Sequence, residues 1–510
     1  MSVNAVLENR YHDSAVLMGL ARSLARRFGV EPARAAVMMG TPMNKRLLEE
    51  ADLLETAGRA ASSSDIIAAL GVEGSGALTP EELLGAVREL LAGPDACQKG
   101  GTEESADLAD VLARHPESPL VSISVPGPHA AREARIALEA GRHVFLFSDN
   151  VPLSDEVALK MKALSKGLLM MGPDCGSAFI DGVGLGFSNA LARGPVGIAA
   201  ASGSGLQEVA CLVSNAGSGV SQAVGVGGRD LQDAVGALMM VRAVDLLEED
   251  PGTRVVVVIS KAPGEGALEA LCERLELAVK PVVACFPGAD RSLYESLPDN
   301  VHAAHTLESA ALTALELCGA ARPDFRTVPP ARGNGEGACL PRGACFIRGV
   351  YCGGTFAGET AGMLRAAGFE TLDASEAEKP GEWPAGHLIL DAGADAFTVG
   401  RPHPMIDPES RSAAFMKAAL DPATAVLFAD VELGYGVADD AAEVLARDVR
   451  SALSTRPGLQ VVVHVCGALA DPQGYGRVVR LLSEAGAWVA LTNARAAGLA
   501  IELLGKKEGA

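Results

Sequence analysis

Apolar residues recur at helical spacing from Ala15 to Val30, and Ala35 to Gly40 then reads as a short strand. A small αβ module therefore opens the chain. It continues with a strand over Ile66 to Leu70 and a helix over Pro80 to Ala92, whose first turn carries Glu81 and Glu82, where the helix dipole favours acids. Gly93 to Glu104 is polar and glycine-bearing and reads as a linker or lid. From Leu120 apolar runs and amphipathic stretches alternate: strands Leu120 to Val125, His143 to Phe147 and Leu168 to Met171, with helices His129 to Ala140 and Ser154 to Lys166 between them. A second alternating unit runs through strands Val196 to Ala200, Gln222 to Val226, Arg254 to Ile259 and Pro281 to Cys285. Its helices are expected at Gly205 to Ser214, Leu231 to Leu247 and Ala267 to Leu277. Such alternation predicts an α/β fold of doubly wound parallel sheets with right-handed crossovers.

Ala321 to Arg342 holds Pro323, Pro329, Pro330, Gly333, Asn334, Gly335 and Gly337, a composition that sustains neither helix nor central strand and marks a boundary. Beyond it the alternation returns, with strands at Ala344 to Val350, His387 to Asp391, Thr424 to Phe428, Gln460 to His464 and Trp488 to Leu491. Helices are expected at Gly358 to Ala367, Ser410 to Leu420, Ala438 to Leu453, Gly474 to Ala485 and Ala494 to Leu504. The two halves share a plan.

At 510 residues the chain exceeds what one core organises, so at least three domains are expected. With 48% hydrophobic residues, 4% aromatic and 58 glycines, the cores are built from aliphatic side chains and tight turns. A formal net charge of -21 works against binding nucleic-acid phosphates or an anionic membrane. The expected ligand is small and locally held. No apolar run approaches the roughly 20 residues a membrane span needs, and the N-terminus lacks a signal-peptide core, so a cytoplasmic location is expected. The 10 cysteines include no Cys-x-x-Cys pair, and neither zinc nor disulfides are called for.

Chemistry concentrates at strand ends. Ser202, Gly203, Ser204 and Gly205 follow a buried strand and open a helix, where unpaired amides and the positive dipole end attract an anion; a plain serine N-cap is the competing reading. Gly225, Gly227 and Gly228 end the next strand on the same sheet edge. Cys175, in the turn Gly172 to Gly176, has no base beside it and reads as a buried turn cysteine. Gly400, Arg401, Pro402, His403, Pro404 and Asp407 form a rigid loop before a helix. Arg401 is a clamp for phosphate or carboxylate, His403 a proton donor or nucleophile, and Asp407 a helix cap or metal ligand; a structural loop is the alternative. Asp430 and Glu432, with Gly434, Tyr435 and Gly436 after them, are either a metal or proton-transfer pair or a solvated strand end. Tyr351 to Thr355 is a weaker glycine-rich cradle, and His302 and His305 read as capping residues.

At these residues the chain resembles the ligase modules of the succinyl-CoA synthetase superfamily. Val121 to Cys175 is similar to the second half of the α subunit's CoA domain, Ser202 to Gly205 to its phosphate helix, and Gly225 to Asp230 to its glycine turn. Gly400 to Arg411 and Asp430 to Gly436 resemble the β subunit's carboxy-terminal domain. Fusion of the two, with Met-Met-Gly-Thr-Pro at Met38 to Pro42, Gly-Arg-Pro-His-Pro-Met-Ile-Asp at Gly400 to Asp407 and Leu-Gly-Tyr-Gly at Leu433 to Gly436, resembles FdrA proteins over nearly the whole length.

That resemblance implies an N-terminal α/β module (1–115), a partial Rossmann-type CoA-binding-like domain (116–190), an α-type ligase domain (191–320), a linker (321–342) and a β-type ligase domain (343–510). It implies two phosphate helices facing each other across one site, the second entered at 400–411. The chain departs from the pattern in having no phosphohistidine loop at Pro287 to Asn300, in carrying Ser260, Lys261 and Ala262 where the synthetase has a glutamate, and in lacking an ATP-grasp domain. The implied activity is that of an oxamate carbamoyltransferase subunit, exchanging oxalurate and phosphate with oxamate and carbamoyl phosphate, with an acid–thiol ligase or a non-catalytic scaffold as alternatives. Ser204 and Gly205 amides are assigned to phosphate, with Ser202, Gly203, Gly227, Gly228, Gly400, Asp407, Gly434 and Gly436 lining the site. Arg401 is assigned to phosphate or carboxylate and His403 to proton transfer. The implied ligands are phosphate or an acyl phosphate and a small carboxylate or amide. Other subunits of the same pathway and self-association are the implied partners, and CoA and Mg stay open as cofactors.

Overall fold

The computed structural model describes residues 2–8, 10, 12, 14–62, 65–72, 78–92, 107–331, 340–341, 343–372, 383–398 and 403–505. The expected linker or lid at Gly93 to Glu104 lies outside them. The chain divides into two compact units, residues 1–106 with 398–402, and the remainder.

The first unit contains β1 (Ser2–Leu7), α1 (Ser14–Phe28), β2 (Ala35–Met39), α2 (Pro42–Glu50), α3 (Thr56–Ala60), β3 (Ile66–Gly71) and α4 (Pro80–Ala92). β3 lies centrally and runs antiparallel to both β1 and β2. β1 was not expected, because Asn4 interrupts its apolar pattern. The structure buries that side chain and satisfies it: Asn4 Nδ2 donates to Leu53 O at 2.7 Å, and Oδ1 accepts from Glu55 N at 2.8 Å.

The second unit opens with α5 (Leu108–Arg114), then β4 (Leu120–Ile123), α6 (Gly127–Glu139), β5 (His143–Leu146), α7 (Leu153–Ser165) and β6 (Met170–Met171), whose strands form a small parallel sheet in the order β4-β5-β6. The next sheet is built from β7 (Ser177–Ile180), β8 (Val183–Gly186), β9 (Arg193–Ala200), β10 (Val220–Gly225), β11 (Val255–Ile259), β12 (Val282–Cys285) and β13 (Val301–Ala304). Its helices are α8 (Gly203–Asn215), α9 (Leu238–Glu249), α10 (Glu265–Glu276) and α11 (Leu307–Leu317). The last sheet holds β14 (Thr327–Val328), β15 (Phe346–Tyr351), β16 (Thr371–Leu372), β17 (His387–Asp391), β18 (Thr424–Glu432), β19 (Gln460–Cys466) and β20 (Trp488–Ala490). With it come α12 (Gly354–Ala366), α13 (Asp395–Thr398), α14 (Glu409–Leu420), α15 (Ala441–Thr455), α16 (Tyr475–Ala485) and α17 (Asn493–Gly505).

Among the described residues the two large sheets have orders β13-β12-β11-β9-β10-β7-β8 and β14-β20-β19-β18-β15-β17-β16. Counting parallel strands in chain order, the first reads 2-1-3-4-5, the flavodoxin-like winding, and the last reads the same once the two-residue edge strand β16, parallel to β17, is set aside, so the expected α/β architecture is what the chain adopts. The hairpin β7–β8 and the two-residue edge strand β14, inside the proline-rich 321–342 stretch, were not expected; β14 pairs antiparallel at the sheet edge, where proline is tolerated.

One expected element is corrected. The helix read from Leu231 begins only at Leu238, because Gly236 and Ala237 are left-handed (φ 74° and 60°), and Asp230 accepts from Met239 N and Met240 N at 3.2 and 2.8 Å as the cap. Asp230 also holds the buried Lys160 ammonium at 2.7 Å, which bonds Glu156 at 2.8 Å, tying α7 to the turn after β10.

Helices α8, α11, α12 and α17 form one apolar core with side chains of both large sheets, including Ile198, Leu206, Ala311, Phe356, Phe428 and Ala500. α14, α15 and α16 cover the other face of the last sheet through Phe415, Leu445 and Leu482. No helix among the described residues is long and apolar enough to cross a membrane.

Candidate functional site

In a 2-1-3-4-5 sheet the connections after strands 1 and 3 leave in opposite directions and open a crevice at their carboxyl ends. The first large sheet places Ser202 there after β9 and Lys261 after β11; the last places Cys352 and Gly353 after β15 and Asp430 and Glu432 at the end of β18. The two crevices meet. Ser202 caps α8, accepting from Gly205 N at 2.9 Å, and its Oγ lies 2.5 Å from Thr355 Oγ1 on the first turn of α12.

That contact corrects two readings. The helix start facing α8 belongs to α12, in the segment that had read as the weaker cradle, whereas α14, after the 400–411 loop, packs on the opposite face of its sheet. The Gly205 amide serves the Ser202 cap instead of a ligand, which leaves the amides of Gly203 and Ser204 as the first-turn donors that the helix itself cannot satisfy.

Behind α12, Asp430 is a buried acceptor and no solvated strand end. Its Oδ1 takes Cys352 N at 2.7 Å and Arg411 Nη1 at 2.8 Å, and its Oδ2 takes Gly353 N at 2.8 Å. Glu432, 3% exposed, is pushed well above the usual carboxylate range by burial and by the adjacent Asp430 charge, and its Oε1 has no hydrogen-bond partner. Asp391, at the end of β17, is raised to about 6 by burial against the opposing pull of Lys261. A Cβ on Gly354 would stand 2.3 Å from Asp391 Oδ2 and 3.5 Å from Lys261 Nζ, so an exposed ammonium from the first large sheet reaches the first turn of α12. Sequence reasoning noted Lys261 only as a departure; its position at strand 3 of a doubly wound sheet was the available signal.

His403 accepts from Met405 N through Nδ1 at 3.2 Å, which assigns the proton to Nε2, and burial lowers its pKa to about 4. At neutral pH it is an N–H donor and no nucleophile. Gly400 and Arg401 lie outside the described residues. α14 is capped at Pro408 without a side-chain bond, so Asp407 is not the cap; its carbonyl receives Ser410 N at 3.0 Å.

The remaining expected glycines sit where backbones pass closely. A Cβ on Gly227 (φ +90°) would meet Pro173 O at 2.3 Å and one on Gly434 (φ +115°) Ser188 O at 2.3 Å; those on Gly228 and Gly436 would meet Asp174 Oδ2 at 3.2 Å and Gly186 O at 3.1 Å. Cys175 is buried, with its thiol pushed up to about 12 chiefly by burial, and is inert. The cap of α11 is not a histidine: Thr306 and Ser309 form its capping box, and His305 packs edge-on against Tyr294 at 4.3 Å.

The parallel sheets, their flavodoxin-like winding and the paired helix starts define an α/β protein of two doubly wound layers whose crevices share one place. A family model described as CoA-ligase matches residues 350–503, and one described as AllF, heavy metal-associated domain, matches 1–107. The chain belongs to the family of the uncharacterised protein YahF of Escherichia coli K12, to which it is 36% identical over 531 residues, covering 100% of both chains. It is 32% identical over 170 residues to the succinate–CoA ligase (ADP-forming) α subunit of Methanothermobacter thermautotrophicus, covering 33% of this chain and 56% of that one. Against the ADP-forming sulfoacetate–CoA ligase subunit SauD of Bilophila wadsworthia the figures are 30% over 161 residues, 30% of this chain and 53% of that one. It therefore spans just over half of those ligase subunits. A solved acetyl-coenzyme A synthetase 1 of Ca. Korarchaeum cryptofilum aligns at 16% identity with a TM-score of 0.34, covering 82% of this chain and 90% of that one.

Among the described residues, convergent His, Cys and carboxylate groups occur only as Glu208, His464 and Cys466 and as Cys352, Asp430 and Glu432, both in the second unit.

Proposed function

We propose that the chain is an FdrA-type enzyme subunit that transfers an acyl group to or from phosphate, with oxalurate and phosphate giving oxamate and carbamoyl phosphate. The observation that carries this reading is the 2.5 Å approach of Ser202 and Thr355, which brings two helix starts together at one place. Their first-turn amides and the Lys261 ammonium offer a fixed positive environment for phosphate and for an oxyanion developing on the carbonyl.

A phosphohistidine route is disfavoured by packing. Pro287–Gly288 lies directly on α12, since a Cβ on Gly288 would stand 2.5 Å from Gly358 O and one on Gly362 2.5 Å from Gly288 Cα. Phosphate itself is then the nucleophile. Its oxygen bonds to the carbamoyl carbon, the carbon–nitrogen bond breaks, and the departing oxamate nitrogen takes the proton that the attacking hydrogen phosphate loses, a transfer that we assign the neutral His403 to guide as a hydrogen-bond donor through Nε2–H. Arg401 is assigned to the substrate carboxylate. In this reading residues 116–190, 191–320 and 343–510 act as CoA-binding-like, α-type and β-type domains, and the chain works in the cytoplasm, self-associated and with further subunits. The names of the ligase relatives favour a second reading, an acid–thiol ligase that binds CoA.

Calorimetric titration of the full chain with phosphate, carbamoyl phosphate and CoA, beside Lys261→Met, separates the two. Binding of phosphate compounds that Lys261→Met weakens, without CoA binding, supports acyl transfer to phosphate. Tight CoA binding with no response to carbamoyl phosphate overturns it in favour of the ligase.

A further inference from the structure

We propose that Cys352, Asp430 and Glu432 form a binding site for one divalent transition-metal ion at the start of α12. This goes beyond the acyl-transfer reading and does not depend on it. β15 and β18 are parallel neighbours with Val350 opposite Ala429, which brings Asp430 level with Tyr351 at the end of β15, and the Cys352 amide just beyond donates to Asp430 Oδ1 at 2.7 Å. Glu432 follows two residues later on the same strand and projects to the same side. Donor atoms of the three side chains lie within 4.8 Å of one another, and all three residues are buried. Donors around a zinc-type ion stand roughly 3.3 to 3.8 Å apart given its bond lengths, so small χ rotations close the set.

Two features point to a cation in place of an inert acidic cluster. Glu432 Oε1 is buried without a donor and faces Gly353, where even a Cβ would be 2.9 Å away. A metal ion held between the three side chains satisfies that oxygen directly. The charges also close: three anionic donors against the Arg411 guanidinium leave two negative charges, which a divalent ion cancels. A thiolate beside two carboxylates excludes Mg2+ and Ca2+, which take oxygen donors, and selects Zn2+, Co2+ or Fe2+.

The test uses the full chain, stripped with chelator and titrated with Co2+, following the sulfur-to-cobalt charge-transfer band in the near ultraviolet. The expected result is saturation at about one Co2+ per chain, displacement by Zn2+, loss of the band in Cys352→Ser, and binding weaker by at least about tenfold in Glu432→Gln. His464→Gln should leave the band unchanged, which distinguishes this site from the Glu208, His464 and Cys466 group. A wild-type chain without stoichiometric binding, or a band that survives Cys352→Ser, overturns the proposal. Should Cys352→Ser fail to fold by circular dichroism, Glu432→Gln decides: unaltered Co2+ affinity overturns it, and the tenfold loss supports it.

Discussion

The joint between the two helix starts rests on one pair of hydroxyls, so a double-mutant cycle on Ser202 and Thr355 reads it directly. Ser202→Ala removes the N-cap bond to Gly205 N, worth about 1 kcal/mol, and strands the buried Thr355 hydroxyl, which costs about 1–3 kcal/mol more. Thr355→Val keeps the side-chain shape and leaves the cap intact, so its expected cost is only about 1 kcal/mol. In the double variant no hydroxyl is left stranded, and the destabilisation falls short of the two single effects added together by about 1–2 kcal/mol. Urea unfolding, with Trp488 fluorescence reporting the last sheet and circular dichroism the whole chain, measures all four proteins. Single effects that add to within about 0.5 kcal/mol would mean that the hydroxyls do not interact and that the two starts are not joined.

Three further outcomes follow from buried charge and tight backbone. His464 Nε2 lies 3.0 Å from Glu208 Oε2; burial alone would lower its pKa, but the Glu208 carboxylate raises it well above 6.5. That contribution to stability is complete below pH 6.5 and is lost as pH rises through the folded-state pKa. Melting temperature should therefore fall on the alkaline side, and Glu208→Gln should flatten that fall and cost about 3–5 kcal/mol. Lys160→Ala removes the ammonium shared by Glu156 and Asp230, both fully buried, and should likewise cost about 3–5 kcal/mol in urea unfolding. Gly434→Ala meets a left-handed φ of +115° and a carbonyl at 2.3 Å; thermal unfolding should show it more destabilising than Gly436→Ala, whose nearest neighbour is 3.1 Å away.

The sheets were legible because a strand buried on both faces is an apolar run and its crossover helix an amphipathic one, as Val255–Ile259 and Glu265–Glu276 show. Pattern failed where a polar group is satisfied from far away. Asn4 hid β1, and the extension of β18 through Asp430 and Glu432 was invisible because their partners, Arg411 and the Cys352 and Gly353 amides, lie 19 to 78 residues away in sequence. The first helix start was read correctly from Ser202-Gly203-Ser204-Gly205. Its partner was misplaced because Gly-Gly-Thr is a modest local signal beside the loop around His403, and only the winding shows which helix follows strand 1 of the last sheet.

Strand 1 of each sheet launches the helix that meets its counterpart, so the site exists only while the two sheets hold their relation, and long-range polar bonds maintain it. Asn189 donates to Leu433 O at 2.7 Å and to Asp471 Oδ2 at 2.8 Å while accepting from Gln207 on α8 at 3.1 Å. Asn215 donates to Gly467 O at 2.9 Å, and Asn493 donates to Glu359 Oε2 at 2.8 Å. Glu359, held at about 7 chiefly by burial, also takes Leu307 N at 2.7 Å, so one carboxyl bridges α11, α12 and α17. These groups are mostly buried, and removing any one leaves partners unsatisfied in the low-dielectric core. Sliding of α8 against α12 is therefore opposed by directional bonds as well as by apolar packing. Carrying both sheets on one chain adds a high effective concentration of each for the other, so neither helix start has to wait for a second subunit to find it.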